Sequence, residues 1–253
     1  MPFDKIRVRS AFDRTAAVYD SAAVVQQHMA GQLARLLPWH SDSILEFGPG
    51  TGIYTALLRQ RYPRAQLTIV DFAPEMLAKA QARIRSAPLT VKIDDAENGE
   101  VGSGYSLITA NACFQWFTDF AAAMRRYAPC LVSGGELTFS TFGPQTLGEL
   151  QQALAAAAPA LPPIPAARFL SAAAVRHALA EAGFRAISVA EEAVIRECSD
   201  GTGLFRSMRA TSGAGRSGGL WTPRRWKRLL ESYPRFDGRW RATYQVLYVR
   251  ATV

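Results

Sequence analysis

The stretch Glu46-Phe47-Gly48-Pro49-Gly50-Thr51-Gly52 puts three glycines at alternate positions, with a carboxylate two residues before the first. Glycine reaches positive φ without a Cβ clash and lets a ligand press against bare backbone. Asp71 follows about 20 residues on, after the apolar run Gln66-Leu67-Thr68-Ile69-Val70, where a doubly wound α/β fold presents a carboxylate to ribose hydroxyls. The other reading of Asp71 is a cap for the helix that Pro74 opens. The spacing is GxGxG, not the GxGxxG that cradles a pyrophosphate. Together these residues suit a nucleotide-type ligand that carries no diphosphate.

Other chemistries lack their residues. Cys113, Cys130 and Cys198 are too few and scattered for a disulfide framework or a CxxC zinc site. His28, His40 and His177 share no metal-ligand spacing, so no bound metal is expected. No His-Asp or Cys-His constellation offers a nucleophile with its base.

The elements that must position the glycine loop follow an alternating pattern. Residues 5–37 read as two helices, with Phe12 and Tyr19 on one face of the first and Leu33, Leu36 and Leu37 closing a stripe before Pro38. Strand candidates are 43–47, 66–70, 89–93, 105–110 and 136–142, and helices are expected from Gly52 to Arg61, Pro74 to about Arg85 and Asp119 to Leu131. Such alternation implies a parallel sheet covered by helices on both faces. Beyond Thr146 the sequence predicts a helix to about Ala158, a proline-rich link (159–165), a helix over 172–182 and a long strand from Phe184 to Ile195. Six glycines between Gly201 and Gly219 suggest a mobile loop around a short helical piece, Leu204 to Arg209. A helix over 222–232 and a strand from Trp240 to Arg250 close the chain, and the last strand can complete the sheet begun at Ile44.

Composition narrows the class. The chain has 253 residues, 49% of them hydrophobic, which suits one large core and excludes disordered, collagenous and coiled-coil classes. Pro159, Pro162, Pro163 and Pro165 interrupt the alanine-rich stretch, so no apolar run reaches the roughly 20 residues of a membrane span. No apolar segment follows Met1 closely enough for a secretory signal, and a cytoplasmic address is expected. Residues 1–150 carry 14 basic and 14 acidic side chains, whereas 201–253 carry 11 basic ones against Glu231 and Asp237, so the net +8 is C-terminal. That asymmetry suits an acidic partner, whether nucleic acid, anionic membrane or acidic protein; the plain alternative is a solvated basic face.

Glu46 to Gly52, Asp71 and Asp94-Asp95-Ala96 resemble the class I S-adenosylmethionine-dependent methyltransferases. The resemblance covers roughly residues 40–142. It implies a Rossmann-like α/β fold with a seven-stranded, mostly parallel sheet, helices on both faces and an antiparallel last strand. It further implies S-adenosylmethionine as cofactor, S-adenosylhomocysteine as product, and no metal. By the same resemblance Glu46 orders the glycine loop near the methionine moiety, Asp71 binds the ribose, and Asp95 meets the adenine amino group. Gly48, Gly50, Gly52 and Asn111 complete the expected cofactor contacts.

Motifs outside that core are more specific. They are Ala11-Phe12-Asp13-Arg14-Thr15-Ala16-Ala17-Val18-Tyr19-Asp20, Asn111-Ala112-Cys113-Phe114-Gln115-Trp116, Phe139 to Leu150, Arg168-Phe169-Leu170, Phe205 to Arg209, and Thr243 to Tyr248. Together they resemble the malonyl-acyl carrier protein O-methyltransferases of biotin synthesis; Arg209-Ala210 stands where that family often has lysine then glycine. The resemblance implies methylation of the free carboxylate of a malonyl thioester on acyl carrier protein or coenzyme A. A carboxylate is ionised at pH 7, so no general base is needed and catalysis is positioning, with water stripped from the nucleophile. Tyr19, Gln115 and Trp116 are the expected positioning residues. Phe12, Tyr19, Trp116, Arg206 and Arg209 are the expected substrate contacts, an arginine gripping the carboxylate. Phe12 and Tyr19 either close a lid or dock an ordinary helix.

Residues 1–38 are then the N-terminal helical lid, 39–142 the cofactor core and 143–253 the substrate side of one methyltransferase domain. Arg224, Arg225, Lys227 and Arg228 are positioned to attract an acidic carrier protein. No nucleic acid and no membrane partner is expected. The alternatives are a quinone C-methyltransferase or a free-carboxylate O-methyltransferase, then an RNA methyltransferase, favoured by the pI of 9.7 but without a base-directed motif, and last a non-catalytic cofactor-binding protein.

Overall fold

Three helices precede the sheet in the computed structural model, which describes residues 4–84, 88–211 and 222–253. They are α1 (Lys5–Thr15), α2 (Tyr19–Ala22) and α3 (Val24–Arg35), followed by β1 (Ser43–Phe47), α4 (Ile53–Arg61), β2 (Gln66–Asp71), α5 (Pro74–Arg83), β3 (Leu89–Ile93) and β4 (Tyr105–Asn111). A 3₁₀ turn at Phe114–Trp116 leads to α6 (Phe120–Tyr127) and β5 (Leu131–Phe142). Then come α7 (Gly148–Ala157), a 3₁₀ turn at Pro165–Arg168, α8 (Ala172–Glu181), β6 (Arg185–Cys198), α9 (Gly201–Thr211), α10 (Pro223–Ser232), β7 (Arg235–Phe236) and β8 (Arg239–Thr252).

The strands form one sheet in the order β3-β2-β1-β4-β5-β8-β6, with β7 paired to β8. The first five strands are parallel, and β8 runs antiparallel to both β5 and β6. This is the class I methyltransferase architecture the resemblance implied. Chain order reverses at β1, whose neighbours are β2 and β4, so the crevice above their carboxyl ends is the ligand site of an open α/β sheet. One face of the sheet packs Phe47, Tyr127, Phe139 and Leu179 beneath α6 and α8. The other buries Leu33, Tyr54, Leu58 and Leu77 under α3, α4 and α5. A third cluster joins α7, α9 and α10 to β8 through Met208, Leu229, Trp240 and Val246.

Several boundaries differ from the sequence reading. The two N-terminal helices are three: the Thr15 hydroxyl bonds back to the Ala11 carbonyl at 3.1 Å, and a turn at 16–18 separates α1 from α2. Helix α9 fills 201–211, where a mobile loop around a shorter helical piece was expected. The Asp200 carboxylate caps it, accepting from Thr202 and Gly203 N–H at 2.9 and 2.8 Å. Gly201 lies against Trp240, where a Cβ would come within 2.6 Å of the ring. The remaining glycines of that run, 213, 215, 218 and 219, lie outside the described residues. Asp237 (φ 50°) and Gly238 (φ 74°) form a two-residue β7–β8 hairpin turn that the sequence reading did not mark. Among the described residues no helix is long and apolar enough to cross a membrane, and no group of three or more His, Cys, Asp or Glu side chains could hold a metal.

Candidate functional site

The glycine loop leaves the carboxyl end of β1 and enters α4. Gly48 (φ +60°) cannot carry a side chain, because its Cβ would stand 2.6 Å from Cys113 Sγ. Ala112, held at φ 53°, turns the chain beyond β4 so that Cys113 comes under the loop. Burial pushes the Cys113 thiol well up, which makes it a packing group rather than a nucleophile. At Gly52 a Cβ would meet Ala80 Cα at 2.9 Å, so this glycine seats α4 against α5 and is not in the cavity wall. Gly50 has open space on its Cβ side.

Above the loop lies an open cavity of about 700 Å³, the solvent at its mouth included, whose walls include Phe12, Tyr19, Gly48, Gly50, Asp71, Asn111 and Trp116. Asp71 accepts from Ala73 N–H at 2.9 Å and Gly50 N–H at 3.2 Å. It ties the turn before α5 without capping the helix, whose N-cap is Ala73, and it faces the cavity. Burial raises its carboxyl to about 6, against the pull of those two backbone donors. Asn111 donates to the Gln26 carbonyl at 3.1 Å and accepts from the Ser140 hydroxyl at 2.7 Å.

Glu46 is fully buried behind the loop, outside the cavity wall, and neither carboxylate oxygen has a hydrogen-bond partner. Burial lifts its pKa to about 8, with the nearby Thr55 hydroxyl acting the other way. An orphaned buried carboxylate is costly unless a cation or donor comes to it. The site thus fits a ligand with ribose hydroxyls for Asp71 and a positive group toward Glu46, as S-adenosylmethionine has.

The N-terminal helices cover this cavity. Phe12 meets Tyr19 and Trp116 edge-on, with ring centroids 6.3 and 6.1 Å apart. Burial, followed by the nearby Asp71 and Asp20, raises the Tyr19 hydroxyl far above its ordinary range, so it stays a proton donor. Polar clasps fasten the cover. Asp20 accepts from the Thr51 hydroxyl at 2.5 Å and pairs with Arg83, and Asp13 accepts from Glu75 N–H at 3.1 Å. Lys5 pairs with Asp95 at 2.7 Å and Glu97 at 2.5 Å. Sequence reasoning passed over Lys5 and Thr51; Asp20 stood at the end of a quoted motif without a role.

Other expectations need correction. Asp95 does not line the cavity; its carboxylate is taken by Lys5, Glu97 N–H and the Asn98 amide. Burial raises its pKa less than Lys5 and the other donors lower it, so it sits below the ordinary value. Gln115 is in the wall of a second cavity, not the first. It donates to the Ala112 carbonyl at 2.6 Å and accepts from the Thr141 hydroxyl at 3.1 Å. That second cavity, of about 440 Å³ with the solvent at its mouth included, is lined by Phe114, Gln115, Phe117, Thr141, Arg168 and Phe169, among others. Trp116 stands between the two, in the first wall and edge-on to Phe169 at 6.1 Å. Arg206 and Arg209, expected at the substrate carboxylate, are exposed on α9 and line neither cavity. The reason is the helix face: Leu204 and Met208 are buried, and Ser207 ties α9 to the Ala22 carbonyl of α2 at 3.0 Å.

The motif from Phe139 to Leu150 is a brace. The Gln245 side-chain oxygen accepts from Gln145 N–H at 2.9 Å, and Glu149 accepts from Thr243 N–H at 3.1 Å and its hydroxyl at 2.5 Å. Arg224, Lys227 and Arg228 are exposed on α10, with Arg225 partly buried beside them. Lys227 lies 3.8 Å from Glu231. Arg239 and Arg241 share Glu197 at 3.6 and 2.7 Å, which removes part of the basic excess near β8.

A family profile described as a methyltransferase domain matches residues 22–189. The chain is 34% identical over 267 residues to the malonyl-acyl carrier protein O-methyltransferase of Laribacter hongkongensis, an alignment covering 98% of this chain and 89% of that one. With the protein of the same name from Geobacter sulfurreducens it shares 33% identity over 262 residues, 97% of each chain. Among solved structures, the N-methyltransferase NodS of Bradyrhizobium japonicum, in complex with S-adenosylhomocysteine, gives a TM-score of 0.54 at 14% identity, covering 97% of this chain and 98% of that one. The YcgJ protein of Bacillus subtilis gives 0.62 at 12%, covering 89% and 97%. At such identities the likeness is one of fold. On the two alignments along nearly its whole length, the chain belongs to the malonyl-acyl carrier protein O-methyltransferase family of S-adenosylmethionine-dependent enzymes.

Proposed function

We propose that this protein methylates the free carboxylate of a malonyl thioester carried on acyl carrier protein, giving the malonyl methyl ester used in biotin synthesis. The observation that carries this reading is the near full-length similarity to relatives of that name. S-adenosylmethionine, when bound, supplies an electrophilic methyl group, and the acceptor carboxylate is already ionised at neutral pH. No side chain has to remove a proton, which agrees with a cavity wall whose titratable side chains are one carboxylate, one thiol and two tyrosines.

The protein's own residues hold and exclude. Asp71 and Gly50 form the ribose side, Glu46 is the buried carboxyl behind the loop, which a cationic ligand would ionise, and Asn111 fixes the end of β4. Phe12, Tyr19 and Trp116 replace water with aromatic surface around the reacting groups, where a poorly hydrated carboxylate is a better nucleophile. Residues 1–38 act as lid, 39–142 as cofactor core and 143–253 as acceptor side of one domain. Arg224, Arg225, Lys227 and Arg228 steer the acidic carrier protein, an effect on association rate more than on tightness. Labelled S-adenosylmethionine with malonyl-acyl carrier protein, malonyl-coenzyme A and acetyl-acyl carrier protein tests the reading, with the product identified by mass spectrometry. Methylation of a malonyl thioester is expected, and its absence with intact cofactor binding refutes the assignment.

A further inference from the structure

We infer that Gln26 holds the acceptor carboxylate in the first cavity, its side-chain amide donating to the oxygen that does not react; this rests on the function proposed above. Gln26 lies in the wall of that cavity and is only 6% exposed. It opens the buried stripe of α3 that continues at helical spacing through Met29, Ala30 and Leu33, where a side chain that merely packs would be apolar. Among the described residues its amide has no hydrogen-bond partner. A polar group so enclosed is costly unless a ligand brings it a partner.

The main chain fixes where this amide stands. The Gln26 carbonyl accepts from the Asn111 amide at 3.1 Å, and Asn111 accepts from the Ser140 hydroxyl at 2.7 Å, so α3 is tied to β4 and β5 without using the Gln26 side chain. Asn111 ends β4 and Asp71 ends β2, with β1 between them. The two ends of the wall are thus about 10 Å apart, two strand spacings, which leaves the Gln26 end clear of a ribose held at Asp71. Other polar side chains of the wall are spent. The Thr51 hydroxyl goes to Asp20 at 2.5 Å, and the Tyr54 hydroxyl bonds Thr109 at 2.8 Å. The Tyr19 hydroxyl, like Gln26, has no partner among the described residues and is the second donor to the same carboxylate.

Neutral donors are what this cavity requires. Among the described residues its wall holds Asp71 and no lysine or arginine, and Glu46 stands behind the loop, a field that suits a cation. An anionic acceptor there has the cofactor's positive charge as its counter-ion. Amide and hydroxyl groups hold it by charge-assisted hydrogen bonds without opposing that cation. With one oxygen held, the other forms the new C–O bond as the methyl–sulfur bond breaks; the electron pair stays on sulfur and no proton moves.

The test is steady-state methyl transfer to malonyl-acyl carrier protein by wild type, Gln26→Met and Gln26→Asn. Losing a hydrogen bond to a charged group predicts a KM for the malonyl substrate raised about 10- to 100-fold in Gln26→Met, with kcat changed less. Gln26→Asn keeps a donor and recovers part of the loss. The dissociation constant for S-adenosylmethionine is unchanged in both, and the melting temperature does not fall, because no hydrogen bond within the protein is lost. A wild-type KM in Gln26→Met overturns the inference, as does an equal loss of cofactor affinity, which would make Gln26 a cofactor ligand. Should the variants fail to fold, a crystal structure of wild type with S-adenosylhomocysteine and malonyl-coenzyme A decides. The Gln26 amide nitrogen is expected within hydrogen-bond distance of a carboxylate oxygen; a carboxylate met by other groups alone overturns it. If wild type methylates no malonyl thioester, the proposed function fails and this inference falls with it. An active wild type with an indifferent Gln26→Met removes the role of Gln26 alone.

Discussion

Binding of S-adenosylmethionine should expel a proton from Glu46. In the free protein this carboxyl is fully buried, without a hydrogen-bond partner, and lifted to about 8. At pH 7 a group with that pKa is about 0.9 protonated. A cationic ligand brought against the glycine loop favours the charged form and returns the carboxyl to the acidic range. Release at pH 7 should therefore approach about 0.9 proton per site, fading above about pH 9, where Glu46 is already ionised. Asp71, at about 6, is only about 0.1 protonated at pH 7 and adds little. Titration calorimetry in phosphate and in Tris, which differ in ionisation enthalpy, gives the proton number from the difference in apparent heat, and Glu46→Gln should abolish it. The sign also fixes a stability trend. The folded pKa exceeds the unfolded value, so the free protein loses stability as pH rises from about 4.5 to about 8. Glu46→Gln flattens that part of the melting-temperature profile. Heats independent of buffer, or unaltered proton release in Glu46→Gln, would refute the reasoning.

Cofactor affinity should fall as pH drops below about 8, where Glu46 must give up its proton on binding, and more steeply below about 6, where protonated Asp71 can no longer accept from both ribose hydroxyls; in Asp71→Asn the dissociation constant rises and only the added steepness below about pH 6 disappears, read by equilibrium binding across pH. Gly48→Ala forces a Cβ onto Cys113 at positive φ and should cost about 1–3 kcal/mol of stability by chemical denaturation. Reversing charge at Arg224 and Arg228 should raise KM for malonyl-acyl carrier protein while leaving malonyl-coenzyme A unaffected, and added salt should imitate the reversal in wild type.

Legibility tracked how local each signal was. The glycine loop, Asp71 and the first five strands were readable because strand periodicity and turn chemistry are written in neighbouring residues. Helix α9 was read too short, as a helical piece over 204–209 within a loop, because its first turn carries Gly201 and Gly203, whereas Asp200 capping and the Trp240 ring extend the helix to Gly201. The placing of Arg206 and Arg209 used their mutual spacing and ignored the Leu204–Met208 stripe, which turns that face outward. Two features had no local signal at all. The Lys5–Asp95 pair joins residues 90 apart in sequence, and the second cavity gathers its wall from 114–120, 141 and 168–175. Only the tertiary fold brings those together.

The ion pairs and caps of α1 and α2 fall on one side of the molecule. Lys5, Asp13 and Asp20 reach Asp95, Glu97, Glu75, Thr51 and Arg83, all within the cofactor core. No residue of α1 or α2 lines the second cavity. Anything that enters or leaves the first cavity from beneath α1 and α2 therefore has to break these clasps, whereas the wall of the second cavity is built without them.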